Sequence, residues 1–145
     1  MSNEIDDNED NSIVRVHEDA LEYEKDALVF NGQPFTGLGY AEFQNGKLRR
    51  EVKYVNGFPV GRCREWYENG QLRKKWFAGR GVAPTKTMEW YENGQMKSWC
   101  LREHGIELEY KEWKDDGELS VERTLKEGSP MHKVLLRMRK IGNKS

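Results

Sequence analysis

Residue types that catalyse reactions or hold metals are present in this chain, but their spacing is unfavourable for chemistry. Glu107 with Glu109, and Asp115 with Asp116, are close enough to act as acid–base pairs, yet beside turns and strand ends we expect solvated charges. No glycine-rich phosphate loop and no Gly-x-Ser-x-Gly motif occurs. The histidines are isolated from one another and from the cysteines, so they form no zinc-ligand spacing; they are His17, His104 and His132. The sequence therefore predicts a protein that is not an enzyme and uses no metal or other cofactor.

Tryptophan and basic residues have a more regular spacing. Trp66, Trp90 and Trp113 are separated by 24 and then 23 residues. If each lies on a hairpin, Arg73 faces Trp66 and Lys97 faces Trp90. Amphipathic rings beside basic groups are typical of binding hot spots, so these five residues are the predicted partner-binding site. The alternative is that each ring packs under its neighbours with a basic side chain across it, an interaction of about 0.5–1 kcal/mol at an exposed site.

The tryptophans belong to an internal repeat. The phrase "EWYENGQLRKKW" at 65–76 returns as "EWYENGQMKSWC" at 89–100, and alignment on the glycine gives four copies within residues 40–126. The aligned glycines are Gly46, Gly70, Gly94 and Gly117. A fixed period of about 24 residues indicates a repeated structural unit that stacks on its neighbours.

Each copy places Asn-Gly or Asp-Gly between runs of strand-forming residues, the pattern of a hairpin with a two-residue type I′ turn. In that register Glu65 faces Lys74 and Cys63 faces Trp76. The same register predicts a core column of three facing pairs on one side of the sheet: Phe43–Leu48, Tyr67–Leu72 and Tyr91–Met96.

The predicted fold is mainly β, an elongated antiparallel meander of stacked β-hairpin repeats followed by a short C-terminal helix. Residues 1–12 are expected to be an acidic, disordered head, and residues 13–128 the hairpin-repeat domain, in which Leu21–Gly37 adds strands that begin the sheet. Residues 129–145 are a basic segment, with a helix over Pro130–Ile141 that caps the open sheet edge. The alternative is that this helix lies on the surface or binds an anionic partner.

Charge and cysteine usage favour a cytoplasmic protein. Residues 1–30 carry ten acidic side chains against two basic ones, whereas the remainder carries fifteen acidic and twenty-two basic ones. Neither a signal peptide nor an apolar run long enough to span a bilayer is present. Cys63 and Cys100 lie three strands apart, roughly 14 Å, so both are predicted to be free thiols, as in a reducing compartment.

The phrase from Gly61 to Leu72 resembles the bacterial variant of the MORN repeat, and Leu28–Gly37 resembles the start of YwqK-type antitoxins. The resemblance covers about residues 20–126 and implies stacked β-hairpins. It also implies an antitoxin or immunity protein that neutralises a cognate toxin by direct stoichiometric binding. The alternative function is a nucleic-acid or anionic-surface binding module that uses the basic, tryptophan-rich repeats. A MORN-like scaffold for a membrane-associated complex is a third, weaker hypothesis.

Overall fold

A computed structural model describes residues 13–79 and 84–142 of the chain. Twelve strands, one α-helix and a single-turn 3-10 helix (Glu18–Ala20) are present in these ranges. The strands are β1 (Arg15–His17), β2 (Glu22–Glu24), β3 (Ala27–Phe30), β4 (Gln33–Pro34), β5 (Gly37–Glu42), β6 (Leu48–Val55), β7 (Phe58–Trp66), β8 (Leu72–Ala78), β9 (Thr85–Trp90), β10 (Met96–Glu103), β11 (Ile106–Trp113) and β12 (Leu119–Thr124), and the helix is α1 (Pro130–Gly142). The acidic head predicted for residues 1–12 lies outside the described residues.

The mainly β fold class is confirmed. Strands β5 to β12 follow one another in a single antiparallel meander, and β1 joins its far edge parallel to β5, which makes nine strands. The period-2 alternation of each repeat thus builds one long open sheet, with the turns of successive repeats at the same end.

The prediction that Leu21–Gly37 begins this sheet is wrong. Strands β2, β3 and β4 form a separate three-stranded sheet. This small sheet is hydrogen-bonded to the β6–β7 turn. Leu28 N–H donates to the Gly57 carbonyl at 2.9 Å, and Gly57 N–H donates to the carbonyl of Phe35, just after β4, at 2.8 Å. A Cβ on Gly57 would lie 2.7 Å from the Leu28 oxygen, so only glycine permits this approach.

Two kinds of turn alternate along the meander. Between copies, the two-residue turns Asn56–Gly57 and His104–Gly105 have positive φ at both positions, as type I′ requires. Within copies the type I′ prediction is wrong, because only the glycine has positive φ. In the second copy Gly70 N–H donates to the Tyr67 carbonyl and Tyr67 N–H to the Gln71 carbonyl, which encloses a three-residue loop.

An asparagine or aspartate side chain supports each of these three-residue loops. The Asn69 Oδ1 accepts a hydrogen bond of 2.8 Å from the Gln71 N–H. The same contact recurs from Asn45 to Lys47, from Asn93 to Gln95 and from Asp116 to Glu118. This local bond explains why either residue type serves at the position.

The longer loop shifts the predicted pairing only near the turn. Trp66 pairs with Leu72, whereas Glu65 pairs with Lys74 and Cys63 with Trp76, as predicted. Arg73 is the extra residue of a β-bulge that absorbs the shift. The other copies have a bulge at the same place, with Arg49, Lys97 and Ser120 as extra residues.

The buried residues lie in two groups near the ends of the sheet, and the predicted core column is wrong. Its members are only half-buried, because the shifted register pairs the tryptophans, and not the tyrosines, with the aliphatic residues. One group lies around the small sheet and the other near the helix. The first contains Val16, Leu28, Phe35, Ala41, Val52 and Cys63, and the second contains Cys100, Ile106 and Leu135.

The C-terminal helix is present as Pro130–Gly142. Leu135 is 1% exposed, whereas Met138 and Ile141 are exposed despite their helical spacing. Arg139 donates two hydrogen bonds, of 2.6 and 3.1 Å, to Glu103 beside the β10–β11 turn, and they hold the pKa of that carboxyl below its usual range. The domain boundaries and the capping role of the segment stay predictions.

Replacing Gly70 with Ala tests the loop geometry. Gly70 has a φ of +88° and an added Cβ would meet nothing within 4 Å, so the cost is conformational alone. We expect a loss of about 1–2 kcal/mol in the free energy of unfolding, measured by urea denaturation. Gly70→Asn is the matched control and should cost less, since asparagine tolerates this conformation. Equal stability of Gly70→Ala and the parent would contradict the assigned loop.

Candidate partner-binding site

One face of the main sheet concentrates tryptophans and basic side chains. Cross-strand pairing joins Arg64, Lys75, Met88, Trp99 and Lys111 in one row across β7 to β11. Because alternate residues of a strand share a face, Trp66, Trp90 and Trp113 lie on the same side as this row. We call this side the tryptophan face: Arg64, Trp66, Lys75, Met88, Trp90, Trp99, Lys111 and Trp113.

The opposite face has a different electrostatic pattern. Its corresponding row is Arg50, Glu65, Lys74 and Glu89, so neighbouring strands carry opposite charges. Such cross-strand pairs are mutually favourable and leave little net charge. On the tryptophan face Glu51 and Glu122 likewise lie opposite Arg64 and Lys111, so the basic residue of that row with no acidic cross-strand neighbour is Lys75.

The three predicted tryptophans share a face, but Arg73 and Lys97 do not stand opposite them as predicted. Each is the exposed extra residue of its bulge. The Arg73 guanidinium lies 5.7 Å from the Tyr67 ring centroid, and the Lys97 ammonium lies 5.7 Å from that of Tyr91. Because each loop is one residue longer than predicted, both cations lie beside a tyrosine ring and not opposite a tryptophan.

The tryptophans also support the sheet. Their direct cross-strand partners are Leu72, Met96 and Leu119, in that order. All three rings are half-buried, and the Arg64 guanidinium lies 5.3 Å from the Trp66 ring centroid. Each ring is therefore fixed by packing while part of it stays accessible, which lowers the entropy that a partner would have to remove.

Arg64 is itself held in place by a buried carboxylate. Glu51 is 5% exposed and accepts hydrogen bonds from Arg64 at 2.8 Å and from Arg15 at 2.9 Å. The paired geometry offsets the cost of burying the carboxylate. The Glu51 carboxylate thereby connects β1, β6 and β7 at the edge of the tryptophan face.

Hydrogen bonds between successive copies keep the tryptophans in line. The Tyr67 hydroxyl donates to the Trp90 carbonyl at 2.7 Å, and the Tyr91 hydroxyl donates to the Trp113 carbonyl at 2.9 Å. The Asn69 side chain adds a bond of 3.2 Å to the Glu92 carbonyl. The tyrosines were predicted only as core residues, although their hydroxyls recur at the repeat period.

Sequence reasoning also missed Arg64, Lys75, Trp99 and Lys111 as members of this face. Counting back from the Asn93–Gly94 turn in the hairpin register places Met88 opposite Trp99, as in the structure, and Met88 lies two residues before Trp90. That pair alone was sufficient to place Trp99 beside the other tryptophans.

Cys63 and Cys100 are both free and buried, as the free-thiol prediction requires. Burial raises the pKa of the Cys63 thiol to about 11. In residues 13–79 and 84–142, no group of three or more His, Cys, Asp or Glu side chains could hold a metal ion. No helix of this described part is long and apolar enough to cross a membrane.

Comparison with known proteins supports the repeat type. The structure defines an open sheet of β-hairpin repeats, and residues 59–77, which cover β7, the three-residue loop and most of β8, match the MORN repeat variant. Neither the curated proteins nor the solved structures gave a match to the chain. The chain thus contains at least one MORN-type repeat.

Replacing Tyr67 with Phe removes the bond to the Trp90 carbonyl and keeps the ring. We expect a loss of about 0.5–1.5 kcal/mol in the free energy of unfolding, with faster amide hydrogen exchange in β9. Tyr40→Phe is the control, since no hydrogen bond from the Tyr40 hydroxyl is found in the described residues. Unchanged exchange in β9 would show that this bond does not couple the copies.

The Cys63 thiol should resist alkylation in the folded protein. Since the raised pKa keeps it protonated at pH 7 to 9, and only the thiolate reacts, iodoacetamide should modify Cys63 only after denaturation. Peptide mass spectrometry before and after addition of urea measures this. Rapid modification of Cys63 without urea would contradict the buried position.

Proposed function

We propose that this protein is a cytoplasmic antitoxin or immunity protein that neutralises a cognate toxin by stoichiometric binding. The observation that carries the proposal is the tryptophan face, where four aromatic rings lie among basic side chains on a rigid sheet. The MORN-type match at 59–77 supports a repeat scaffold of this kind. Inhibition would come from occlusion of the toxin and would involve no turnover.

The chemistry of the face indicates what the partner presents. Lys75 and Lys111 favour an acidic surface, and the partly exposed indoles favour apolar or aromatic contacts at its centre. No ion pair or hydrogen bond joins Lys75 or Lys111 to the side chains of the described residues. Both ammonium groups are thus available for a partner.

A nucleic-acid binding module is the second candidate. Indole rings beside Lys75 and Lys111 resemble the combination of stacking and phosphate contact that single strands require. That mode predicts an affinity that falls steeply with added salt. Protein recognition is favoured because the tryptophans pack against aliphatic partners, which leaves their faces incompletely open for base stacking.

Charge reversal tests the proposal without disturbing the tryptophans. The double variant Lys75→Glu, Lys111→Glu should fail to rescue growth of cells that express the proposed cognate toxin, and should bind that toxin at least about tenfold more weakly, because like charges then meet. Lys47→Glu, Lys126→Glu makes the same charge change at exposed positions away from the face. Growth rescue and isothermal titration measure the two effects.

Two results would contradict the proposal. Equal loss of rescue in both double variants would assign the effect to net charge and not to the tryptophan face. Tight binding of a short single strand at low salt, lost in Lys75→Glu, Lys111→Glu and unaccompanied by toxin binding, would favour the nucleic-acid alternative.

A further inference from the structure

A cleft of about 500 Å³ lies on the face opposite the tryptophan face. Its floor is the cross-strand row Val52, Cys63 and Trp76 of β6, β7 and β8. Its outer wall comes from Leu21, just before β2, and from Tyr23 on β2 of the small sheet. The volume is within the range of sites that hold small ligands or single side chains of a partner.

The basic group in this cleft is already neutralised. Arg50 donates hydrogen bonds of 2.6 and 3.2 Å to one oxygen of Glu18, and Arg49 donates a third, of 3.1 Å, to the other oxygen. Arg50 and Glu18 therefore form part of the wall as an ion pair. Neither offers a free charge to a ligand.

The acidic residue Glu65 is not held in an ion pair of this kind. Its cross-strand neighbours are Arg50 and Lys74, but its carboxylate forms no ion pair with any residue in the described ranges. The Lys74 ammonium instead lies 3.8 Å from Glu89 and 5.1 Å from the Trp76 ring centroid. Glu65 is half-buried and lines the cleft. Arg50 acts on it only through space, because the Arg50 guanidinium is hydrogen-bonded to Glu18. No hydrogen bond from the described residues occupies the Glu65 carboxylate oxygens, so a cation that entered could bond to them.

Aromatic groups complete the lining. Tyr54 is half-buried, and its hydroxyl has no hydrogen-bond partner among the residues the structure describes. Tyr23 lies at the mouth with 80% of its surface exposed. The faces of aromatic rings attract cations, and their edges pack against the methylene stem that carries one.

We propose that this cleft binds an arginine side chain of a basic peptide segment. The guanidinium pairs with Glu65, and its stem lies against Val52 and Trp76. Arginine fits better than lysine because the planar guanidinium can bond a carboxylate with two N–H groups and stack on an aromatic ring at the same time. This site is independent of the proposed function and prefers a partner surface of opposite charge from that favoured by the tryptophan face.

The test uses a blocked tripeptide, acetyl-Gly-Arg-Gly-amide, and its citrulline counterpart, which has nearly the same shape and no charge. Titration of the full chain is followed by ¹H–¹⁵N spectra, with the Trp76 indole and the Val52 and Cys63 amides as reporters. We expect saturable shifts with the arginine peptide and affinity at least about tenfold weaker for the citrulline peptide.

Two variants keep the test specific. Glu65→Gln keeps the side-chain size, and we expect it to weaken the arginine peptide about tenfold, whereas Glu122→Gln makes the same charge change at an exposed site outside the cleft and should leave affinity unchanged. Tyr23→Ala alters an exposed ring that the fold does not need, and should weaken binding about threefold. Equal affinity for both peptides, equal affinity in Glu65→Gln and the parent, or no saturable shift would each overturn the proposal.

Discussion

The constraint on which the rest of this structure depends is the glycine that ends each three-residue loop with positive φ. The loop that Gly70 closes begins one residue earlier, at Glu68, than the predicted two-residue turn would, and the bulge at Arg73 removes the difference before Lys74. Since one residue of slip moves every side chain to the other face, the bulge keeps Cys63 and Trp76 on one side and the four tryptophans of the tryptophan face on the other. Repetition of the same loop and bulge then aligns these faces over the whole sheet.

Contacts between copies convert a series of hairpins into a continuous sheet. The bonds from Tyr67 and Tyr91 to the next copy are possible only where a tyrosine follows the tryptophan. In the first copy Phe43 has no hydroxyl, and in the last Lys114 takes the position and pairs with Glu118 at 3.4 Å. The sequence thus changes at the two ends, where a repeat array has only one neighbour and needs other packing.

Much of this arrangement follows from the amino-acid pattern, and the exceptions share a physical cause. The meander of the repeats, the C-terminal helix, the free thiols and the pairs Glu65–Lys74 and Cys63–Trp76 are correctly predicted. The positions of Arg73 and Lys97 are not, because Asn-Gly satisfies both a two-residue and a three-residue loop. Beyond the bulge both loops give the same pairing, so the alternating pattern of the strands contains nothing that distinguishes them.

The two faces of one thin sheet offer partners different chemistry because adjacent residues of a strand point in opposite directions. On β7, Arg64 and Trp66 contribute to the tryptophan face, while Glu65 between them lines the cleft with a carboxylate that forms no ion pair within the described part of the chain. An acidic surface that suits Lys75 and Lys111 would be repelled by Glu65 if it entered the cleft, and a basic segment that suits the cleft would be repelled by the two lysines on the tryptophan face. Because Arg64, Glu65 and Trp66 point alternately to the two faces, one repeat presents two surfaces of different chemistry. The register that fixes the fold therefore also fixes which residues each surface presents to a partner.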